Sequence, residues 1–309
     1  MLHVLAPGAL STVQDLGRPD HGHLGVPAGG ACDRWSLMVA NRLLGNAPGA
    51  AALEMTLVGG TFEVMVTGVI AIAGADMDAT VVDDGRPLES GASHLVHAGT
   101  SIRFGAVTRG LRTYLALPGG VAVPEVLGSR STCLPGGFGG IDGRPLTMGD
   151  RLAPVDEPMA ADAGRRWPSG GFDPTDPGAA LHFVAVADGP GVHPDAVELL
   201  VGTAWTVSPV NDRSGARLDG ATLPADAAAG ELVSRGVLPG AIQVPASGQP
   251  IVLLADAPTI GGYPVPGVVA SADLPIVAQR PAGEPLRLVH IGAREARTLA
   301  VERRASAGG

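Results

Sequence analysis

Residues 8–54 combine seven side chains that can bind a small polar ligand with glycines and prolines that fix tight turns. The seven are Gln14, Asp15, Arg18, Asp33, Asn41, Asn46 and Glu54. An arginine close to an amide and a carboxylate can hold a planar amide or carboxylate through paired hydrogen bonds. Gln14, Asp15 and Arg18 fit this description, and we expect them on a turn at the end of a strand. The alternative is an Asp15–Arg18 pair that only closes the turn.

The other members of this segment have competing structural and functional interpretations. Asp33 stands where a helix N-cap is expected, and capping explains its carboxylate as well as contact with a ligand does. Asn41 and Asn46 lie off the apolar face of the predicted helix, where they either line a cleft or meet solvent. Glu54 lies in an apolar run, and a buried carboxylate there requires a partner, for which arginine is the natural choice.

Nine further residues outside this segment are candidate ligand-binding residues: Arg130, Thr132, Asp212, Arg213, Gln243, Thr259, Gly261, Gly262 and Tyr263. Asp212 and Arg213 repeat the carboxylate–arginine combination of the first segment. Arg130 follows a Gly-Ser turn, where it either binds an anion or belongs to a surface turn. In residues 259–263 the paired glycines let a ligand approach the backbone, or form only a hairpin turn.

The order of these stretches resembles the KipA-like family, also called allophanate hydrolase subunit 2-like or biotin-dependent carboxyltransferase-like. The resemblance rests on residues 13–19 (Val-Gln-Asp-Leu-Gly-Arg-Pro), 26–33 (Val-Pro-Ala-Gly-Gly-Ala-Cys-Asp), 208–220 (Ser-Pro-Val-Asn-Asp-Arg-Ser-Gly-Ala-Arg-Leu-Asp-Gly) and 259–264 (Thr-Ile-Gly-Gly-Tyr-Pro). The best-understood members are the C subunits of bacterial ATP-dependent 5-oxoprolinase. The resemblance spans nearly the whole chain and implies domains of the cyclophilin-like β-barrel type.

The same resemblance implies how the chain works. It would act with a KipI-like B subunit and a LamB/YcsF-like A subunit in the hydrolysis of 5-oxo-L-proline to L-glutamate. The assembled enzyme would use ATP, and no cofactor would be bound covalently. Asp15, Arg18 and Asp33 would be catalytic, with a carboxylate such as Asp15 moving protons, and the other candidates would contact the substrate.

Two alternatives share this fold and signature. One is a carboxyltransferase component that acts on urea or a related amide with biotin on a separate carrier. The other is a non-catalytic KipA-like antagonist of a KipI-like kinase inhibitor. Because all three functions rest on the same residues, the sequence does not separate them.

The absence of lysine excludes several kinds of site. All 21 basic residues are arginine, so a phosphate-binding P-loop, a Schiff-base lysine and a biotin-carrying lysine are impossible in this chain. Any biotin must be carried by another chain, and any nucleotide bound here must be held by arginine and backbone amides. Gly-x-Ser-x-Gly is also absent, so the sequence does not support nucleophilic hydrolysis by this chain alone.

Charge and cysteine content narrow the class of partner. The net charge of -9 argues against nucleic acid or an anionic membrane as a partner. No apolar run approaches the roughly 18 residues of a membrane span. The two cysteines and eight histidines form no metal-ligand spacing. We therefore expect a cytoplasmic protein that binds a small polar substrate and no metal.

Length and patterning predict a mainly β protein with two β-rich domains and a few short helices. A chain of 309 residues exceeds what one core usually serves, and its many short β-prone runs are punctuated by glycine. We place an N-terminal domain at 1–160, a proline-rich linker at 161–177 and a C-terminal domain at 178–309. The alternative for the proline-rich stretch is a long surface loop inside one domain. The clearest predicted helix begins after Asp33 and ends at Gly45.

Overall fold

The computed structural model describes residues 1–224 and 232–307, whose contacts divide the chain into two units. Unit 1 contains residues 1–18, 29–175 and the chain end from 306. Unit 2 contains residues 19–28 and 176–305. The division falls close to the predicted linker, but the short segment 19–28 belongs to the unit formed by the second half.

Unit 1 is built from ten strands in two antiparallel sheets. One sheet has the order β10-β1-β4-β8-β6 and the other has the order β2-β3-β9-β5-β7. The strands are β1 Leu2–Ala6, β2 Leu10–Gln14, β3 Ala52–Thr56, β4 Thr61–Val64, β5 Gly68–Asp76, β6 Thr80–Val81, β7 Ala92–Val96, β8 Ser101–Arg103, β9 Arg109–Ala116 and β10 Arg151–Leu152.

The main core of unit 1 includes apolar residues from both sheets. Alternate residues of a strand point to opposite faces, so β1 contributes Leu2 and Val4, and β4 contributes Phe62 and Val64. Side chains of the second sheet, among them Leu53, join the same cluster. The core therefore lies where the two sheets face each other, as in a sandwich.

Helix α1 Arg34–Leu44 covers the outer face of the second sheet and confirms the helix prediction. Its N-cap is Asp33, whose carboxylate accepts from the Ser36 backbone N–H at 2.9 Å. Gly45 ends the helix in the left-handed conformation at φ 74°, which glycine adopts without strain. The buried face of α1 packs on small apolar residues of the sheet, among them Val69, Ala71 and Ala73.

Residues 161–175, most of the predicted linker, pack against unit 1. The Ser93 N–H donates to the Arg165 carbonyl at 2.9 Å, and the Trp167 N–H donates to the Gly91 carbonyl at 2.7 Å. Trp167 and Phe172 both meet Trp35 of α1 edge to face. Aromatic side chains separated by prolines and glycines show no apolar period, so the sequence pattern did not reveal this packing.

Unit 2 contains an eight-stranded sheet, of order β19-β12-β13-β16-β15-β18-β11-β20, and a two-stranded sheet of β14 and β17. Among the described strands of the large sheet, only β11 and β20 pair in parallel. The strands are β11 Leu181–Ala185, β12 Trp205–Asn211, β13 Gly215–Asp219, β14 Arg235–Gly236, β15 Ala241–Gln243, β16 Ile251–Leu253, β17 Ile260–Gly261, β18 Gly267–Val269, β19 Pro285–Leu286 and β20 Leu288–His290. The helices are the 3-10 helix Pro19–Leu24, α2 Ala196–Gly202, α3 Leu274–Ala278 and α4 Ala293–Ser306.

The predicted fold class is confirmed, because the protein is mainly β and the large sheet of unit 2 is a nearly closed β-barrel. One face of this sheet is apolar: Ala216 and Leu218 of β13 are fully buried. Gly215 and Arg217 alternate with them and therefore face the other way. In the described parts of the chain, no helix has the length and apolar character needed to cross a membrane.

An ion pair beside the first sheet predicts a pH dependence of stability. Arg144 binds Asp150 through two hydrogen bonds of 2.7 and 2.9 Å, and this arginine lowers the pKa of Asp150 from 3.8 to about 2. The pair therefore stabilises the fold fully above pH 4 and loses its effect as the pH falls towards 2. We expect Asp150→Asn to cost about 1 kcal/mol at pH 7, since the pair is partly exposed. Urea unfolding across pH 2–7 should show wild type and variant converging at low pH; a constant gap would contradict this cause.

Candidate functional site

Asp15 organises a buried polar cluster at the end of β2. Its carboxylate accepts hydrogen bonds from the hydroxyls of Ser129 at 2.7 Å and Ser131 at 2.5 Å. The backbone N–H groups of Gly17 and Arg130 donate to it at 2.7 and 2.6 Å. Four donors around a carboxylate that is 8% exposed fix the loop at 129–131 to the strand. The proton-carrying role predicted for Asp15 stays a prediction.

Arg18 lies inside the same cluster and is not on an exposed turn. It is 2% exposed. Its guanidinium donates to the carbonyls of Ser131 at 2.6 Å and Val126 at 3.3 Å, and lies 5.1 Å from the centre of the Phe138 ring. These contacts hold the loop that carries residues 126–138. Its catalytic role remains a prediction, and the geometry supplies a structural role.

Replacing Arg18 by alanine should therefore reduce stability and activity together. The variant loses two hydrogen bonds from a buried cation and the contact with Phe138, and we expect a loss of about 3 kcal/mol in the free energy of unfolding. Thermal melts beside a rate assay of the assembled enzyme measure both quantities. A variant that melts like wild type but has lost activity would instead restore the interpretation as a ligand clamp.

Three other predicted residues join this cluster. Gln14 donates to the Thr132 carbonyl at 3.2 Å, and the Thr132 hydroxyl donates to the Val13 carbonyl at 3.1 Å. Arg130 donates to the Val123 carbonyl at 3.0 Å and pairs with Glu125 at 3.0 Å. The structure thus brings together the predicted residues around Asp15, with their donors turned mainly towards the protein.

A second buried cluster surrounds Glu54 on β3. Its carboxylate accepts from the Tyr114 hydroxyl at 2.6 Å and from the Cys32 N–H at 2.9 Å. Arg112 lies 4.0 Å away with both side chains almost fully buried, which confirms the expected arginine partner. Burial, followed by the charge of Glu54, raises the pKa of Tyr114 well above 10.

Asp33 and the two asparagines also make internal bonds. The Asp33 carboxylate caps α1, and its backbone N–H donates to the Tyr114 hydroxyl at 2.8 Å. Asn41 donates to the Ala50 carbonyl at 2.7 Å and accepts from Asn46 at 2.9 Å. Asn41 is fully buried, so it does not meet solvent, and these bonds hold the loop after α1 in place. The predicted ligand contacts of these residues stay predictions.

In unit 2, Arg213 makes a paired contact that the sequence did not assign. Its guanidinium binds Asp256 through hydrogen bonds of 2.8 and 3.0 Å, and both side chains are buried. Asp212, next to it, is exposed and accepts from the backbone N–H groups of Ser214 and Gly215. The pair and this turn fix the connection between β12 and β13.

The remaining predicted residues of unit 2 lie around three separate cavities. Asp212 and Gln243 line the same cavity, of about 480 Å³. Gly262 and Tyr263 line another of about 310 Å³, and Thr259 borders a third of about 740 Å³. A side chain at Gly261 would collide with Gln243, because its Cβ would lie 2.3 Å from the Gln243 Nε2 atom. Gly261 therefore supports the position of Gln243.

Asn211 and Arg217 line this cavity together with Gln243, and neither was among the residues predicted from the sequence. Asn211 ends β12 and Arg217 lies on β13, both within the 208–220 stretch. The alternation of polar and apolar residues along β13 could have identified Arg217, because it lies between the apolar residues Ala216 and Leu218. The cavity is therefore lined by two amide side chains and one cation.

Comparison with known proteins places the chain in a family. Residues 24–290 match the family described as carboxyltransferase domain, subdomain A and B. The chain is 37% identical over 300 residues to the C subunit of 5-oxoprolinase from Escherichia coli K12, covering 96% of this chain and 93% of that protein. It is 33% identical to urea amidolyase of Lachancea kluyveri, of which it covers 17%.

Solved structures agree with this result. The chain superposes on the crystal structure of TTHA0988 with a TM-score of 0.83 and 34% identity, over 93% of this chain and 56% of that one. It superposes on K. lactis urea amidolyase with a TM-score of 0.86 and 29% identity, over 99% of this chain and 20% of that one. The chain spans only part of both proteins. It belongs to the carboxyltransferase domain family, subdomain A and B.

Proposed function

We propose that this chain is the C subunit of an ATP-dependent 5-oxoprolinase, which hydrolyses 5-oxo-L-proline to L-glutamate. One observation carries the proposal: the 37% identity to the E. coli C subunit extends over 96% of this chain and 93% of that protein. The matched protein of Haemophilus influenzae is 31% identical over 97% of the chain. Both relatives have the same name, and both align along nearly their whole lengths.

The reaction indicates why further chains are needed. A lactam carbonyl is a poor electrophile, and transfer of the γ-phosphoryl group of ATP to its oxygen would activate the carbon towards water. That transfer would release ADP. Attack by one water and cleavage of the C–N bond would then give an acyl phosphate, which a second water would hydrolyse to glutamate and phosphate. This chain has no lysine with which to build a P-loop. We therefore assign substrate binding to this chain and the use of ATP to the assembled enzyme.

The proposed partners are the KipI-like subunit and the LamB/YcsF-like subunit. Both 5-oxoprolinase relatives are named as one subunit of their enzyme, which indicates a complex. In addition, the part of TTHA0988 that matches this chain makes up 56% of a longer chain. Stable association with the KipI-like subunit should bury at least about 1,200 Å². Copurification after co-expression tests this assembly, and separate elution at micromolar concentration would contradict it.

Carboxyl transfer to urea or a related amide is the second candidate. It is favoured by the 33% identity to urea amidolyase of L. kluyveri and by the structural match to the K. lactis enzyme. Biotin would then be on another chain, since this one has no lysine. The end-to-end match to the 5-oxoprolinase relatives favours the 5-oxoprolinase function. Regulation of a KipI-like kinase inhibitor without catalysis is a third candidate with no observation of its own.

Deletion of the gene tests the proposed function in the cell. A strain without it should fail to grow on 5-oxoproline as sole nitrogen source and should grow normally on glutamate. A plasmid copy of the gene should restore growth on 5-oxoproline. Normal growth of the deletion strain on 5-oxoproline would contradict the hypothesis. If the strain grew normally on 5-oxoproline but failed to grow on urea as sole nitrogen source, the second candidate would be favoured.

A further inference from the structure

The 480 Å³ cavity of unit 2 is bordered by the face of the large sheet that lies opposite the barrel core. Arg217 on β13 pairs in register with Ile251 on β16, and Ile251 pairs with Gln243 on β15. These three residues therefore form a row across three adjacent strands. Two strand spacings place the ends of the row about 10 Å apart. Apolar Ile251 lies between a cation and an amide.

Gln243 is the most deeply placed polar group of this cavity. It is 4% exposed, and its Nε2 atom has no hydrogen-bond partner among residues 1–224 and 232–307. A buried amide without a partner costs roughly 1–3 kcal/mol, so its presence requires an explanation. Gly261 leaves the space that this amide occupies. The combination is typical of a group whose partner is a ligand.

Asn211 offers the complementary group. Its Oδ1 atom is buried and has no partner within the described part of the chain. The register of β12 and β13 shifts between Val207 and Asn211, which marks an irregularity at the end of β12. Two side chains that line the cavity thus each have a buried amide atom without a partner, one a donor and one an acceptor.

Arg217 contributes the positive charge. It is half-buried, and none of the ion pairs found among the described residues includes it. Asp212 also borders the cavity, but one of its oxygens already accepts from the backbone of Ser214 and Gly215. An arginine beside an apolar residue and without a carboxylate partner is suited to bind the carboxylate of a ligand.

We infer that this cavity binds a small cyclic amide that carries a carboxylate, the chemical class of 5-oxoproline. Gln243 donates to the lactam carbonyl, Asn211 accepts from the lactam N–H, and Arg217 binds the carboxylate, while the ring methylenes lie over Ile251. The inference rests on the proposed function for the choice of ligand. The cavity volume falls within the range of about 300–1,000 Å³ found for small-molecule sites.

Gln249 provides a matched control within the same unit. It also has a buried amide atom without a partner among the described residues, its Oε1, but it does not line the cavity. Replacing either glutamine by leucine removes one amide group that has an atom without a hydrogen-bond partner, and the group removed is the same in both variants. The two variants therefore differ in their relation to the cavity, and melting curves show whether each is folded.

The experiment is calorimetric titration of the full chain, alone and in the assembled complex, with 5-oxo-L-proline, L-proline and 2-pyrrolidinone. Gln243→Leu and the isosteric Gln243→Glu should each weaken 5-oxoproline binding at least tenfold, and Gln249→Leu should change it less than twofold. L-proline, which lacks the carbonyl, should bind more weakly to wild type. Arg217→Gln should weaken 5-oxoproline at least tenfold but leave 2-pyrrolidinone, which lacks the carboxylate, unchanged.

Several outcomes would overturn this site. They are absence of 5-oxoproline binding by both chain and complex, equal effects of the Gln243 and Gln249 variants, and an Arg217→Gln variant that weakens both lactams equally. If the complex turns over 5-oxoproline while Gln243 variants bind normally, the proposed function stands and this site is wrong. If binding follows the expected pattern but no complex hydrolyses 5-oxoproline, the site stands and the proposed function fails.

Discussion

Replacing Glu54 by alanine is expected to lower the free energy of unfolding by about 3–5 kcal/mol, because removing one partner leaves a buried cation without its carboxylate. Arg112 lies 4.0 Å from Glu54, and the two side chains are 2% and 1% exposed. The Tyr114 hydroxyl and the Cys32 N–H also lose their acceptor. Urea unfolding monitored by circular dichroism measures the change.

Glu63 is the matched control for this prediction. It lies on β4 of the same unit, and its side chain is 40% exposed and pairs with His3. An exposed pair of this kind contributes at most about 1 kcal/mol, so Glu63→Ala should unfold close to wild type. Similar losses in both variants would show that burial of the Glu54 cluster does not determine its contribution.

Replacing Asp256 by alanine should have an effect of the same size on unit 2. Arg213 would remain buried after losing a partner that accepts two hydrogen bonds from it, and we expect a loss of about 3–5 kcal/mol. The Arg213 carbonyl also accepts from the Asp256 N–H at 2.9 Å. The pair therefore fixes the turn before β13, and the variant should also bind ligand more weakly at the neighbouring cavity.

Two further variants identify the cause of this loss. Asp219→Ala, an exposed carboxylate at the end of β13, should change stability by less than about 0.5 kcal/mol. The double variant Arg213→Met with Asp256→Leu removes both charges and should recover much of the stability lost in Asp256→Ala. A double variant as unstable as the single one would indicate that lost packing, rather than an uncompensated charge, is the cause.

The sequence predicted those features that depend on local patterns. The helix after Asp33 follows from a capping residue, an apolar face and a closing glycine within one short segment, and the structure confirms it. The need for an arginine near Glu54 follows from the cost of burying a lone carboxylate. Neither conclusion requires knowledge of distant contacts, although only the structure identifies the arginine as Arg112.

Features that depend on contacts between residues far apart in the sequence were not predicted. Arg18 is buried because the carbonyls that it binds belong to residues 108 and 113 positions away. Arg213 was assigned to a ligand because its partner, Asp256, lies 43 positions away. Arg217 and Gln243 share a cavity only through the strand order β13-β16-β15. Sequence spacing alone does not determine such an order.

The most direct test of the central claim is ADP release by the purified KipI-like and LamB/YcsF-like subunits, with and without this chain, in the presence and absence of 5-oxo-L-proline. The proposed function predicts 5-oxoproline-dependent ADP and glutamate formation only when all three chains are present, and none from this chain alone. The inferred cavity site, separately, predicts loss of this activity in Gln243→Leu and retention in Gln249→Leu. Full 5-oxoproline turnover by the other two subunits without this chain would contradict the claim.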